Sequence, residues 1–206
     1  MGFISTFMLP KNVDFNAALQ AQTCAARVIL ESLQKVCVDN DATALATLST
    51  TFDKARVLKT KNMKELLDVF ITPYDKESIY RIITQLDWIA LSAKHFLLEF
   101  EAYGILPIRE YQPIFRALVK MMALLEQGVS RLPKKSARAI AHNIDHIYEK
   151  YDQVVAMSTE SMAGLLKQDD FKRIIMHREL LAQLKEVAKR IQITANSLED
   201  MAIKVT

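Results

Sequence analysis

The spacing of proline constrains this chain more than any other feature of its sequence. Five prolines occur, at positions 10, 73, 107, 113 and 133, so residues 11–72 and 134–206 contain none. Proline breaks helix interiors because it lacks an amide hydrogen and clashes with the preceding turn. Long proline-free stretches with apolar residues every three or four positions therefore favour long α-helices. Only four glycines occur, whereas a β-rich chain would need more turn-forming residues. The sequence predicts an all-α protein.

Capping and turn residues divide the chain into six predicted helices. They span about 14–38, 41–70, 75–103, 113–131, 136–167 and 170 to nearly the end. The predicted N-cap residues are Asp14, Asp41, Asp75, Ser136 and Asp170. Gly104 is suited to end the third helix, and Pro113 to begin the fourth. Aligning Leu86 with Leu184 superposes two similar halves, 1–104 and 105–206, so we predict two antiparallel three-helix bundles.

Composition bounds the location and partners of the chain. The 27 basic and 24 acidic residues give a net charge of +3, too even to favour nucleic acid as a partner. Cys24 and Cys37 lie on one predicted helix about 20 Å apart, beyond the reach of a disulfide. Residues 1–10 are apolar but lack the basic region and cleavage site of a signal peptide. No uncharged apolar stretch is long enough to span a membrane, so a cytoplasmic location is expected.

The sequence shows no catalytic motif. It has no glycine-rich phosphate loop, no Gly-x-Ser-x-Gly elbow and no Glu-x-x-His pair, so we predict that the protein is not an enzyme. His142 and His146 stand four residues apart on one helical face, with Asp145 and Glu149 nearby. This spacing can hold a transition metal. The favoured interpretation is nevertheless a solvated polar face.

Basic residues cluster on three predicted helices. They are Lys54, Arg56, Lys59, Lys61 and Lys64 on the second, Lys134, Lys135 and Arg138 at the start of the fifth, and Lys185, Lys189 and Arg190 on the sixth. Such runs are most often solvated. Their functional alternative is a surface that binds an anion or an acidic loop of a partner.

The segment joining the second and third helices is the most specific part of the sequence. Its residues Phe70-Ile71-Thr72-Pro73-Tyr74-Asp75 resemble the corresponding segment of the PhoU-like phosphate-transport regulators, the Pit accessory proteins. The opening, with Phe3, Phe7, Pro10 and Lys11, and the segment 184–189 near the end are also similar to that family. The resemblance covers nearly the whole chain. It implies two three-helix bundles and a regulatory role beside an inorganic phosphate permease.

The resemblance also implies where a metal would bind. PhoU-like proteins commonly hold metal clusters through acidic pairs, four residues apart, on helices matching the second, third, fifth and sixth here. The matching positions in this chain are Phe52 and Arg56, Asp87 and Leu91, Ala141 and Asp145, and Lys185 and Lys189. Only Asp87 and Asp145 keep the acidic character, and three positions are basic. We therefore expect no cofactor, with Arg56, Lys185 and Lys189 replacing the metal through ion pairs.

Three functions remain open on these grounds. The leading interpretation is a regulator or accessory protein that binds a phosphate permease and so contacts the membrane peripherally. The alternatives are a metal-binding helical protein using His142, His146, Asp145 and Glu149, and a metal-free scaffold unrelated to phosphate. Long amphipathic helices also favour a homo-oligomer. Residues Phe96, Phe100, Met121, Met122 and Met162 are expected in the core, with an interface as the alternative.

Overall fold

The computed structural model describes residues 13–105 and 107–204, and these residues form helices joined by short connections without any β-strand. The prediction of an all-α fold is confirmed. The helices are α1 (Phe15–Asp39), α2 (Ala42–Asp68), α3 (Lys76–Tyr103), α4 (Gln112–Arg131), α5 (Ala137–Leu165) and α6 (Phe171–Ile203). Short 3-10 turns at Arg109–Tyr111 and Leu132–Lys134 precede α4 and α5. α2 and α5 each end two residues before the predicted position.

Most helix ends follow from single residues. The Asp14 carboxylate accepts a hydrogen bond from the Ala17 amide at 3.0 Å, and aspartates cap α2, α3 and α6 in the same way. These side chains satisfy amides that have no partner within the helix. Ser136 occupies the N-cap position of α5, but its side chain forms no capping hydrogen bond. Gly104 ends α3 with φ of 64°, a left-handed conformation that suits glycine.

The helices form two sets of three that pack against each other. Helices α1, α2 and α3 contact one another, as do α4, α5 and α6. The sets join where α1 packs on α4 and α3 packs on α6. Four helices, α1, α3, α6 and α4, therefore form a central ring of contacts. α2 packs on one side of this ring, against α1 and α3, and α5 packs on the other side, against α4 and α6.

One hydrophobic core extends through both sets. Phe96, Phe100, Met121 and Met122 are buried in it, and the rings of Phe96 and Phe115 meet edge to face at 5.7 Å. These four side chains are thus core residues within the chain, as favoured above, and Met162 is partly buried against the core. Self-association stays a prediction, and so does the division at residue 104.

Buried and partly buried polar side chains fix the relative positions of the helices. The Gln22 side-chain amide donates to the Ile83 carbonyl at 2.8 Å, and the Asn62 amide donates to Gln22 Oε1 at 2.9 Å. This chain of hydrogen bonds joins α1, α2 and α3. Between the sets, Arg27 donates to the Glu126 carboxylate at 2.6 Å and joins α1 to α4. Because buried polar groups are costly without partners, these bonds select one packing arrangement.

Among the described residues, no helix is long and apolar enough to cross a membrane. The apolar segment 1–10, for which we considered contact with a membrane or a partner, lies outside the described residues.

Candidate functional site

A cavity opens between α2 and α3 in the first half of the chain. Its volume is about 320 Å³, at the lower end of the range for small-molecule sites. Phe52 and Ala90 are buried and form its apolar base. The remaining lining residues are Asp53, Arg56, Lys59 and Thr60 from α2, and Asp87, Leu91 and Lys94 from α3. All four positions that match metal-binding pairs on these two helices therefore lie in one cavity.

One ion pair sets the register of the two helices along this cavity. Lys59 Nζ lies 3.9 Å from Asp87 Oδ2. Because α2 and α3 are consecutive helices joined by a tight corner, they run antiparallel. Three residues before Lys59 in the chain, Arg56 lies level with Ala90 of α3. Three residues further back, Asp53 lies level with residue 93, next to Lys94. Seven residues of helix rise by about 10 Å, so the charged side chains line a groove of roughly that length.

Positive charge exceeds negative charge in this cavity. Three cations, Arg56, Lys59 and Lys94, face two carboxylates, Asp53 and Asp87. Only Lys59 is held in an ion pair, and it and Asp87 are about one-third exposed. Arg56 and Lys94 are exposed and form no ion pair with any residue that the structure describes. The cavity thus presents donors without fixed partners, which is the arrangement that an incoming anion requires.

The predicted replacement of metal by ion pairs takes a different form from the expected one. Arg56 and Asp87 line the same cavity, but the cation paired with Asp87 is Lys59. Lys185 and Lys189 are exposed on α6 and form no ion pair within the described part of the chain. Of the three predicted cations, the structure places only Arg56 in the cavity with Asp87. No ion pair joins Arg56 to Asp87 in the part of the chain that the structure describes.

The second half does not bring Asp145 to the α6 lysines. Tyr148 Oη donates to Asn196 Oδ1 at 2.6 Å, which places residue 148 of α5 opposite residue 196 of α6. With antiparallel helices, Lys189 then lies level with residue 155. Residue 155 stands ten positions from Asp145, or about 15 Å along the axis. This register separates Asp145 from Lys189 along the bundle, and the replacement of metal by ion pairs of the α6 lysines stays a prediction.

The two histidines of α5 do lie together. The rings of His142 and His146 meet edge to face at 4.5 Å between centroids. His146 Nδ1 lies 2.9 Å from Glu149 Oε2, and this contact lowers the pKa of the Glu149 carboxyl. Asp145 is exposed on the same helix. Within 13–105 and 107–204, no group of three or more histidine, cysteine, aspartate or glutamate side chains is arranged to hold a metal ion. The metal-binding alternative stays a prediction.

Sequence reasoning placed Lys59 in a general basic run and missed Lys94 altogether. Lys94 follows Asp87 by seven residues, which is two helical turns, so both point to the same side of α3. That spacing was available in the sequence. The positions of Asp53 and Thr60 opposite α3 were not available, because they depend on the axial position of α2 relative to α3.

The Phe-Ile-Thr-Pro corner that joins α2 to α3 has a clear structural role. Thr72 Oγ1 donates to the Tyr74 carbonyl at 2.7 Å, and the buried Tyr74 donates its hydroxyl to Asn16 on α1 at 2.5 Å. These bonds anchor the corner to the bundle. Phe70 and Ile71 point outward, with 88% and 77% of their surfaces exposed. The corner is therefore rigid at Tyr74 and apolar on its outer surface.

Comparison with known proteins places this geometry among PhoU-like folds. No protein-family model matches the chain. It is 25% identical over 146 residues to UPF0111 protein YkaA of Bacillus subtilis, covering 69% of this chain and 70% of that protein. A crystal structure of a PhoU-like protein from Shewanella oneidensis MR-1 matches with a TM-score of 0.79 and 14% identity. A second protein from that organism, described as PhoU-like and phosphate regulatory, matches with a TM-score of 0.78 and the same identity. Both matches cover 93% of this chain and all of the other chain, so the six-helix fold is PhoU-like.

Proposed function

We propose that this protein regulates inorganic phosphate transport by binding a membrane permease, without catalysing a reaction. The observation that carries the proposal is the PhoU-like fold, which extends over 93% of the chain. One protein of that fold is described as phosphate regulatory. The sequence supports the same interpretation through its Phe-Ile-Thr-Pro segment and its lack of catalytic motifs.

The contact surface in this proposal is the basic surface formed by Arg56, Lys185 and Lys189. α2 and α6 both pack against α3, so these cations lie on two helices that flank the same helix. All three are exposed and have no ion-pair partner among residues 13–105 and 107–204. Fixed ion pairs would have to be broken before such side chains could bind another protein. Free cations instead attract acidic loops directly, and such attraction mainly accelerates association.

The test is an affinity pull-down of the tagged protein from detergent-solubilised membranes of its own host, read by mass spectrometry. Specific recovery of an inorganic phosphate permease is expected, and recovery should fall as salt rises because exposed charges are screened over about 8 Å at physiological ionic strength.

Charge reversal distinguishes binding through the proposed surface from non-specific electrostatic binding. The test variant combines Arg56→Glu, Lys185→Glu and Lys189→Glu. The matched control reverses one arginine and two lysines that are equally exposed elsewhere, as Arg116→Glu, Lys120→Glu and Lys134→Glu. The test variant should lose the permease and the control should retain it. Equal loss in both would refute the surface, and recovery of no phosphate permease by the unmodified protein would refute the function.

A further inference from the structure

We propose that the α2–α3 cavity is a binding site for inorganic phosphate in its protonated, dianionic or monoanionic form. This inference names a ligand for a site that includes Arg56. It rests on the proposed function only where it connects phosphate binding to the regulation of transport. The binding itself is argued from the residues of the cavity.

The donors in the cavity suit a tetrahedral oxyanion. The planar guanidinium of Arg56 offers paired N–H groups, whose geometry matches two oxygens of a phosphate. Lys59 and Lys94 provide ammonium donors on either side of it, from opposite walls of the groove. Thr60 adds a hydroxyl oxygen whose hydrogen is donated to the Arg56 carbonyl at 3.0 Å, so it can accept a hydrogen bond from a P–OH group. These donors belong to side chains on two rigid helices, so their spacing is set by the fold rather than by a loop.

The two carboxylates select which oxyanion can enter. An ionised aspartate only accepts hydrogen bonds, so Asp53 and Asp87 repel a ligand that has no proton to donate. Sulfate is such a ligand at neutral pH. Inorganic phosphate carries at least one proton there, and its P–OH group can donate to Asp87 while its other oxygens accept from the cations. A cavity with three cations and two acceptors therefore favours phosphate over sulfate.

The position of the site explains why it accepts an anion rather than a metal. In the resemblance described above, Phe52, Arg56, Asp87 and Leu91 stand where acidic pairs would hold a cation, and all four line this cavity. Only Asp87 is acidic here. Carboxylates crowded together need a cation to offset their repulsion, whereas this lining already contains an excess of cations. The surplus positive charge is the attraction that remains for an anion.

The experiment is isothermal titration calorimetry of the full chain at about neutral pH, with inorganic phosphate, sulfate and phenyl phosphate as separate ligands. Phosphate is expected to bind saturably to one site per chain, roughly tenfold or more tightly than sulfate. Phenyl phosphate tests the source of the ligand, because it presents a phosphomonoester on a larger group; most of it is a dianion without a proton at neutral pH. Binding of phenyl phosphate alone would overturn the assignment to the free ion, and equal binding of phosphate and sulfate would overturn the role of the carboxylates.

Three variants test the residues. Arg56→Gln should weaken phosphate binding roughly tenfold or more, since hydrogen bonds to charged groups are the strong ones. The matched control Arg116→Gln removes the same charge from an exposed position on α4 and should leave the affinity within about twofold of the unmodified protein. Asp87→Asn should bring the phosphate and sulfate affinities close together by removing the selecting charge. Circular dichroism establishes that each variant is folded, and Lys94→Gln replaces Arg56→Gln if the latter does not fold.

The results separate this inference from the proposed function. No saturable phosphate binding, with a permease recovered in the pull-down, overturns the inference alone. Saturable, selective binding without recovery of a permease supports the inference and overturns the regulatory partner. Equal weakening by Arg56→Gln and Arg116→Gln shows a general effect of net charge and overturns the assignment to this cavity.

Discussion

Replacing His177 with glutamine is expected to reduce the loss of stability that the protein suffers on mild acidification. His177 lies on α6 with 1% of its surface exposed, and its Nδ1 is 2.6 Å from the Tyr111 hydroxyl. Burial is the main cause that lowers the pKa of His177 below its ordinary value, and the charge of Arg173 adds to it. Burial also raises the pKa of the Tyr111 hydroxyl, which keeps that group protonated and able to donate to a neutral His177.

The sign follows from proton binding in the two states. Unfolded His177 takes up a proton as pH falls through about 6.5, whereas the folded state resists protonation because the ring is buried. The unfolded state therefore binds more protons, and the free energy of unfolding falls as pH falls. If the folded state takes up no proton in this window, acidification from about pH 7 to about pH 5.5 costs about 1.3 kcal/mol from this one group. Asp75 and Glu149 contribute elsewhere, because their pKa values are lowered and their effect falls near about pH 4 and below.

The assay is urea denaturation at several pH values between these limits. His177→Gln should show a smaller decrease in unfolding free energy than the unmodified protein, whatever its stability at neutral pH. The control is His95→Gln, since His95 is exposed on α3, and its pH dependence should match that of the unmodified protein. Identical pH dependence in His177→Gln and the unmodified protein would refute the argument from burial.

Three further predictions concern packing, an aromatic contact and metal content. Asn62→Leu should cost about 1–3 kcal/mol in urea denaturation, because it leaves the buried Gln22 Oε1 without the amide that donates to it at 2.9 Å; no measurable loss would show that water or a shift of α2 replaces that bond. Arg190→Gln should cost up to about 1 kcal/mol, because the guanidinium lies 4.3 Å from the centre of the Trp88 ring, and emission of this single tryptophan reports unfolding directly. Protein purified without added metal should contain no stoichiometric iron, zinc or manganese by elemental analysis, and a full equivalent of any of them would contradict the substitution of cations for metal.

The helices and their ends could be predicted from sequence because they depend on local chemistry. Asp14, Asp41 and Asp75 each accept hydrogen bonds from amides two or three residues away, so nothing distant decides whether they cap a helix. The same holds for Gly104, whose left-handed conformation needs only the absence of a side chain. Ser136 differs, because it occupies the N-cap position of α5 without forming a capping hydrogen bond.

The candidate site was only partly predictable because it depends on the sliding of helices past one another. Arg56 and Asp87 were identified from a specific corner close to both in sequence, and they do share a cavity. Asp145 was matched on a helix without any such corner. The hydrogen bond between Tyr148 and Asn196 places it about 15 Å from Lys189 along the axis. Helical periodicity gives the face of a residue but not its height relative to a neighbouring helix.

The ligand of a PhoU-like fold therefore does not follow from the fold, and this chain shows the physical reason. The four matched positions of the α2–α3 cavity hold one cation and one carboxylate, and its surplus of positive charge arises because Lys59 and Lys94 outnumber Asp53 among the other lining residues. At 14% identity to proteins of known structure, the fold is shared while most side chains differ. Where the resemblance implies an acidic residue, this chain has Arg56. An acidic residue there would add to a repulsion that a bound cation relieves, whereas Arg56 adds hydrogen-bond donors that a bound anion can accept from. The charge balance of the cavity, measured by its preference between phosphate and metal, therefore tests the identity of the ligand, which the similarity of the fold does not specify.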